Sequence, residues 1–440
     1  MTAIALRSRL LILTILSALL VSCGGSDSET NAGPSPATGR FFPANTAVPV
    51  TGPAVAGAER FDEILMAVLR KHDVPGATLA IAKGGRLILA RGYGYADFEA
   101  RQQMQPDAMF RIGSISKVLT SMAILHLKEQ GLLDLDAKVL DVLTEFQPAS
   151  GDDARLRDIH IRNLLQHSGG WDRFATPDPS GNEIARALGV PLPPTTADTI
   201  RYMLKRRLDF APGSRVQYSN FGYCLLGQVI EKITREPYEV YVRNNVLLPM
   251  DVNAMSIGRS RLSERGPYEV QYYQYANAPL QDSEFPGEGK MFAPDAHHLA
   301  RCPASGSWIG SAVDLTRVMT AIDGSRKPAF LTAETMAEYL ADPHLPPIVA
   351  NEWWGLGIAV GPTPEAWSHG GLVDGACSLL QRTSQYTWAV ITNSWSPDPA
   401  AFGEEIHAAV TAALAAGLEG SAADLYAEFP SPNLPPRYPN

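Results

Sequence analysis

The stretch ATLAIAKGGRLILARGYGYA, residues 77–96, decides the architecture. Two apolar runs flank Gly84-Gly85, the signature of two strands joined by a tight β-hairpin turn. Upstream, Phe61, Ile64, Leu65, Val68 and Leu69 recur at the spacing of one helical face, so an amphipathic helix runs to His72. Pro75-Gly76 ends it. Downstream, a second helix opens at Ser114 and ends near Gly131. Residues 132–300 read as helical and loop-like, with helical patterns around 198–208 and 222–234. The segments 172–197 and 259–300, rich in Pro, Gly and polar residues, read as long excursions of the functional kind. From residue 353 strand character returns in WGLGIAV, EAWSHGG, ACSLLQR and TWAVITN, and a last helix spans 402–416. Strands at both ends and helices between them predict an α/β (α+β) fold. One antiparallel sheet is built from both chain ends and flanked by helices, with a mainly helical subdomain inserted. The active site belongs in the cleft between the two parts.

The N-terminus carries a different message. MTAIALRSR has two arginines and no acid, and the apolar run LLILTILSALL follows. This is a secretory signal peptide over residues 1–22, too short in its apolar core to span a membrane as a mature helix. LVSC, ending at Cys23, resembles the lipobox of bacterial lipoproteins, which implies lipidation of Cys23 and a membrane anchor in the cell envelope, facing the periplasm or exterior. Residues 23–55 read as a flexible tether, 56–417 as the folded domain and 418–440 as a Pro-rich tail, whose stretch FPSPNLPPRYPN, residues 429–440, reads as extended on the surface.

Composition narrows the partners. The 440 residues carry a net charge of −9, and loss of the two leader arginines takes it to −11. An acidic surface argues against nucleic acid and against charge-driven binding to anionic lipid. Cys224, Cys302 and Cys377 allow one disulfide and leave one thiol, with the pairing open. His297-His298 is an isolated pair without companion ligands, better placed on a loop surface than at zinc, so neither metal nor cofactor is expected.

In FRIGSISKVLTSM, residues 110–122, Ser114 stands where a helix cap belongs, and Lys117 occupies the place of a capping-box acid. A cation beside the positive end of the helix dipole is mildly unfavourable. The two side chains share a face, and the dipole and burial both lower the ammonium pKa. A neutral Lys117 is a proton acceptor for the Ser114 hydroxyl, which becomes a nucleophile. The free backbone N–H of Ser114 points to an oxyanion. Two further stretches join this one: Tyr218-Ser219-Asn220 ahead of a helix, and His369-Gly370-Gly371 on a strand where glycines permit close backbone approach.

Together, in this order, FRIGSISK, YSN and HGG resemble the motifs of the serine β-lactamase and penicillin-binding protein superfamily. The likeness is greatest to class C β-lactamases and their relatives, including D,D-carboxypeptidases, D-amino-acid amidases and family VIII esterases. It extends through IHIRNLLQHSGG, APGS, PASGSWIGSAVDL and HGGLVDGACSLLQR, covering roughly residues 57–417. The resemblance implies that Ser114 is acylated, that Lys117 and Tyr218 share proton transfer, and that Asn220 orients Lys117 and binds an acyl-side amide. It makes the N–H groups of Ser114 and Leu372 the oxyanion hole, and places His369 in the pocket, bonded to substrate or Tyr218. His167 and Trp171 in QHSGGW are read as structural packing beside the site. No G-x-S-x-G elbow is present.

The third motif departs from the family's lysine form, because His369 stands where many members carry K-T-G and others, some peptidases among them, carry a histidine. A lysine gives a fixed charge for a substrate carboxylate, whereas a histidine is charged only near or below about pH 6.5. The sequence therefore predicts a serine hydrolase of small-molecule esters or peptides. A D,D-carboxypeptidase or class C-like β-lactamase taking β-lactam-like substrates is the alternative, and a non-catalytic lipid-anchored binding protein is the alternative of another class.

Overall fold

The computed structural model describes residues 41–43, 46–266, 268–346, 351–361 and 363–432. The signal peptide, Cys23, the start of the tether and the last eight residues of the tail lie outside the described residues. The predicted hairpin is present as β1 (Gly76–Lys83) and β2 (Arg86–Asp97), turning through Gly84 and Gly85, both at positive φ. The C-terminal strands are β3 (Trp367–Val373), β4 (Ala376–Arg382) and β5 (Thr387–Thr392). The sheet runs in the order β2-β1-β5-β4-β3, antiparallel throughout, with Ala80 opposite Ala389 and Gly371 opposite Ser378. Thus β1, from the first quarter of the chain, pairs directly with β5, from its last. Val50–Thr51 extends the sheet beyond β2, and Ala359–Val360 and Trp353–Trp354 extend it beyond β3.

Helices cover this sheet because its strands are apolar along their length. β1 is buried except at Lys83, and β5 throughout. Helix α1 (Glu59–His72) and the last long helix, α5 (Pro399–Ala415), pack on each other and on the strands, and α4 (Ala312–Ile322) lies along β1 and β5. The inserted part is built around α3 (Asn220–Thr234), which packs on α2 (Ser116–Glu129).

Three boundaries differ from the sequence reading. The tether is shorter than 23–55, because Phe41, Phe42 and Val48 are buried in the core and Val50–Thr51 is an edge strand. The start of the 418–440 tail, ahead of the stretch read as extended, packs against the domain. Leu418, Leu425 and Tyr426 are buried, and Arg317 donates to the carbonyls of Tyr426 and Phe429. Finally, Ser114 does not cap an α-helix: it sits in a 3₁₀ turn, Gly113–Ile115, that runs into α2 at Ser116.

Candidate active site

A small second sheet holds the turn that carries Ser114. Phe110–Arg111 pairs with Trp308–Gly310, and the Ile112 N–H donates to the Trp308 carbonyl at 3.0 Å. The same pairing brings the Ser305–Ser307 segment alongside α2, where the Trp308 N–H donates to Ser116 Oγ. The turn then presses against β3 with no room for side chains. Gly113 has φ +51°, and a Cβ there would lie 2.8 Å from Leu372 N; a Cβ on Gly371 would lie 2.1 Å from the Ile112 oxygen. Only paired glycines let the Ser114 and Leu372 backbones meet on one wall.

Lys117 is wholly buried at the start of α2. Its Nζ reaches Ser114 Oγ at 3.3 Å, Asn220 Oδ1 at 2.8 Å and the Ser305 carbonyl at 2.6 Å. It also lies over the Tyr218 ring, 4.8 Å from the centroid. Burial pushes its pKa well below the usual lysine value. The charge of Arg173 adds to this and that of Asp178 partly opposes it.

Tyr218 and Asn220 come from the segment entering α3, where Ser219 caps the helix by accepting from the Gly222 N–H. Burial drives the Tyr218 phenol far above its ordinary pKa, so it stays protonated. Its Oη makes no well-formed hydrogen bond, although the Ser114 hydroxyl is near enough to pull the value partly back. Behind it stands His167, whose Nδ1 accepts from the Ser219 N–H at 3.1 Å and whose ring lies 4.3 Å from that of Tyr218. His167 thus underpins the second motif. Trp171 packs edge-on against Phe221 at 4.8 Å.

His369 departs from expectation. It is 1% exposed, does not line the cavity, and has no hydrogen bond to Tyr218. Its Nδ1–H donates to the Gly370 carbonyl at 2.7 Å, and Nε2 is unpartnered among the edges of Tyr218 and Trp354. Burial first, and then the charge of Lys117, lower its pKa to about 3, so the ring is neutral. The third motif therefore offers no cation to a substrate.

A cavity of about 400 Å³ opens in front of Ser114, with Asn220 and Leu372 also on its wall. Lys117 and Tyr218 sit behind that wall, and Gly370 and Gly371 lie in the strand beneath. Both long excursions supply lining: Asp178 and Pro179 from one, His297, His298 and Leu299 from the other. The histidine pair is thus on the cavity rather than on an outer loop surface. The excursions meet through the buried Glu284 carboxylate, which accepts from the N–H groups of Gly181 (2.6 Å) and His298 (3.0 Å) and pairs with Arg301 and His297. Burial would raise its pKa, but those partners outweigh it and hold it at about 2. His297 is also 3.3 Å from Asp374. Among the described residues no cluster of His, Cys, Asp or Glu is arranged to hold a metal ion.

Two contacts had no counterpart in the sequence reading, and the one disulfide it allowed is now paired. Asp178 accepts from Asn220 Nδ2 at 2.8 Å, the Ser305 carbonyl engages Lys117, and Cys224–Cys302 form a disulfide on the cavity wall. Cys377 is the remaining, buried thiol. For Ser305 a signal existed in PASGSW; for Asp178 there was only its position in an excursion.

Comparison with known proteins bears on the family and the fold. The Beta-lactamase family model matches residues 61–413. Esterase EstB of Burkholderia gladioli is 30% identical over 297 residues, 65% of this chain and 74% of the esterase. Protein flp of Staphylococcus aureus (strain COL) is 28% identical over 216 residues, 48% of this chain, which spans only 41% of that relative's length. A D-stereospecific amidohydrolase from Streptomyces sp. superimposes with a TM-score of 0.61 at 24% identity, over 81% of this chain and 98% of that one, a shared fold.

Proposed function

Because the chain belongs to the beta-lactamase family, we propose that it is a serine hydrolase cleaving small, uncharged esters or amides through an acyl-enzyme on Ser114. One observation carries this reading: the hydrogen-bond inventory of Lys117. The Asn220 and Ser305 oxygens can only accept, so each contact uses an N–H of Lys117. A neutral amine has two such bonds and one lone pair. With both N–H bonds engaged, the lone pair is left for Ser114 Oγ, 3.3 Å away. Lys117 is then the base, and the protonated Tyr218 is the relay.

As Ser114 Oγ bonds to the acyl carbon, its proton passes to Lys117 Nζ, and the negative charge gathers on the carbonyl oxygen beside the Ser114 and Leu372 N–H groups. The bond to the leaving oxygen or nitrogen breaks as Tyr218 gives up its proton and regains one from Lys117. Water then repeats the exchange at the acyl carbon and frees Ser114. The esterase among its relatives supports ester cleavage. The neutral His369 favours donors without a carboxylate over β-lactams, and Arg301 and His297 on the cavity wall are already paired with carboxylates. Anchoring in the cell envelope through a lipidated Cys23 belongs to the same proposal, and mass spectrometry of the mature N-terminus tests it.

The test is turnover and intact mass against a short-chain p-nitrophenyl ester, a chromogenic cephalosporin and a D-Ala-D-Ala peptide in parallel. The ester is expected to be cleaved fastest. Ser114→Ala should lower turnover by at least about 10⁴-fold and abolish labelling by a fluorophosphonate. A Ser114→Ala protein that still turns over the ester would overturn the assignment.

A further inference from the structure

The direction of the Lys117 lone pair depends on which end of the Asn220 amide faces it. With Oδ1 toward Lys117, the amide consumes an N–H and leaves the lone pair for Ser114. Were the amide reversed, its NH₂ would donate to that lone pair and draw it away from Ser114. Neither Lys117 nor the Ser305 carbonyl forbids the reversal. The group that does is Asp178, whose Oδ2 lies 2.8 Å from Asn220 Nδ2. A carboxylate only accepts, and a reversed amide would set oxygen against oxygen there. Asp178 is itself held within 3.9 Å of the buried guanidinium of Arg173.

We propose that Asp178 is a positioning residue for catalysis: acting through the Asn220 amide, it aims the lone pair of Lys117 at Ser114. The proposal rests on the serine-hydrolase reading, and it also bears on specificity. The Asn220 NH₂, expected to bind an acyl-side amide, already gives one hydrogen to Asp178. Both side chains line the cavity, so that end of the pocket presents a carboxylate beside the amide.

The experiment compares the full chain with Asp178→Ala and Asp178→Asn. The measurements are ester kcat and KM across pH, the rate of fluorophosphonate labelling of Ser114, and thermal unfolding. Asp178→Ala should lose about 10²-fold in kcat while KM changes by less than about threefold. Its acid limb should also move to lower pH, because the Asp178 charge supports the protonated lysine. Sodium formate, small enough to enter the space left on the cavity wall, should restore part of the Asp178→Ala rate. Asp178→Asn, which can present either amide end to Asn220, should fall between the two. If both variants keep kcat and the acid limb of the parent, Asp178 positions nothing. An Asp178→Ala protein that loses rate and unfolds earlier, with an unmoved limb and no formate rescue, overturns the proposal equally. Failure of the parent to label at Ser114 would instead sink the hydrolase reading itself.

Discussion

Two buried histidines set how the site responds to acid. His369 has its pKa lowered to about 3, and His167 is also well below the usual imidazole value, chiefly through burial and then the charge of Lys117. In the unfolded chain both would titrate near about 6.5. Below that pH the unfolded state binds protons that the folded state refuses, so stability falls as pH falls. For His369 the loss continues down to about pH 3. Each histidine should contribute about 1.4 kcal/mol per pH unit within its window. Urea unfolding at several pH values should show that slope, and His369→Gln should reduce it by one histidine's share. An unchanged slope would mean that His369 titrates normally in the fold. The same neutrality means that preference for uncharged over carboxylate-bearing esters should not reverse between about pH 5 and 8.

The junction of the Ser114 turn with β3 is where secondary structure becomes chemistry. Gly113→Ala would place a methyl against Leu372 N at a position with φ +51°, so turn and strand must separate. Acylation should slow by about 10²–10³-fold, the loss expected when one oxyanion donor is displaced. Fluorophosphonate labelling kinetics measure it, and a variant labelling at the parent rate would show that the contact is dispensable. The long elements were legible beforehand because they carry periodicity: the hairpin about Gly84-Gly85, α1, α3 and the strands in EAWSHGG, ACSLLQR and TWAVITN stand where alternation and helical spacing put them. WGLGIAV, by contrast, is broken, with only its ends in the two-residue strands Trp353–Trp354 and Ala359–Val360. Ser114, Lys117, Tyr218 and Asn220 were legible as motifs, and the structure gathers them within one cluster. The burial of His369 was not, since a strand residue facing packed rings reads like one facing a pocket. Asp178 was hidden for a different reason. Its partner is 42 residues away, and only the folded excursion brings the two together. The disulfide was one of three possible pairings until α3 met the loop before Ser305.

At the scale of the molecule, the substrate cavity depends on two excursions that share the Glu284 carboxylate. Glu284→Ala should strand the N–H groups of Gly181 and His298 and leave Arg301 without its carboxylate, at a cost of about 3–5 kcal/mol. The damage falls on the cavity wall rather than on Ser114, so KM should rise more than kcat falls. Unfolding and steady-state kinetics on the variant check both, and a kcat-only defect would contradict the assignment. The sheet order carries a last consequence, one of time. Strand β1 is made before the inserted part of the chain, and its partner β5 only after it. While the inserted part is being made, the centre of the sheet is therefore an open edge, with Leu79 and Ile81 uncovered. A chain cut short before Thr387 is then not a smaller enzyme but a hairpin with an open edge, which makes the nascent protein a client for whatever holds unfolded chains apart.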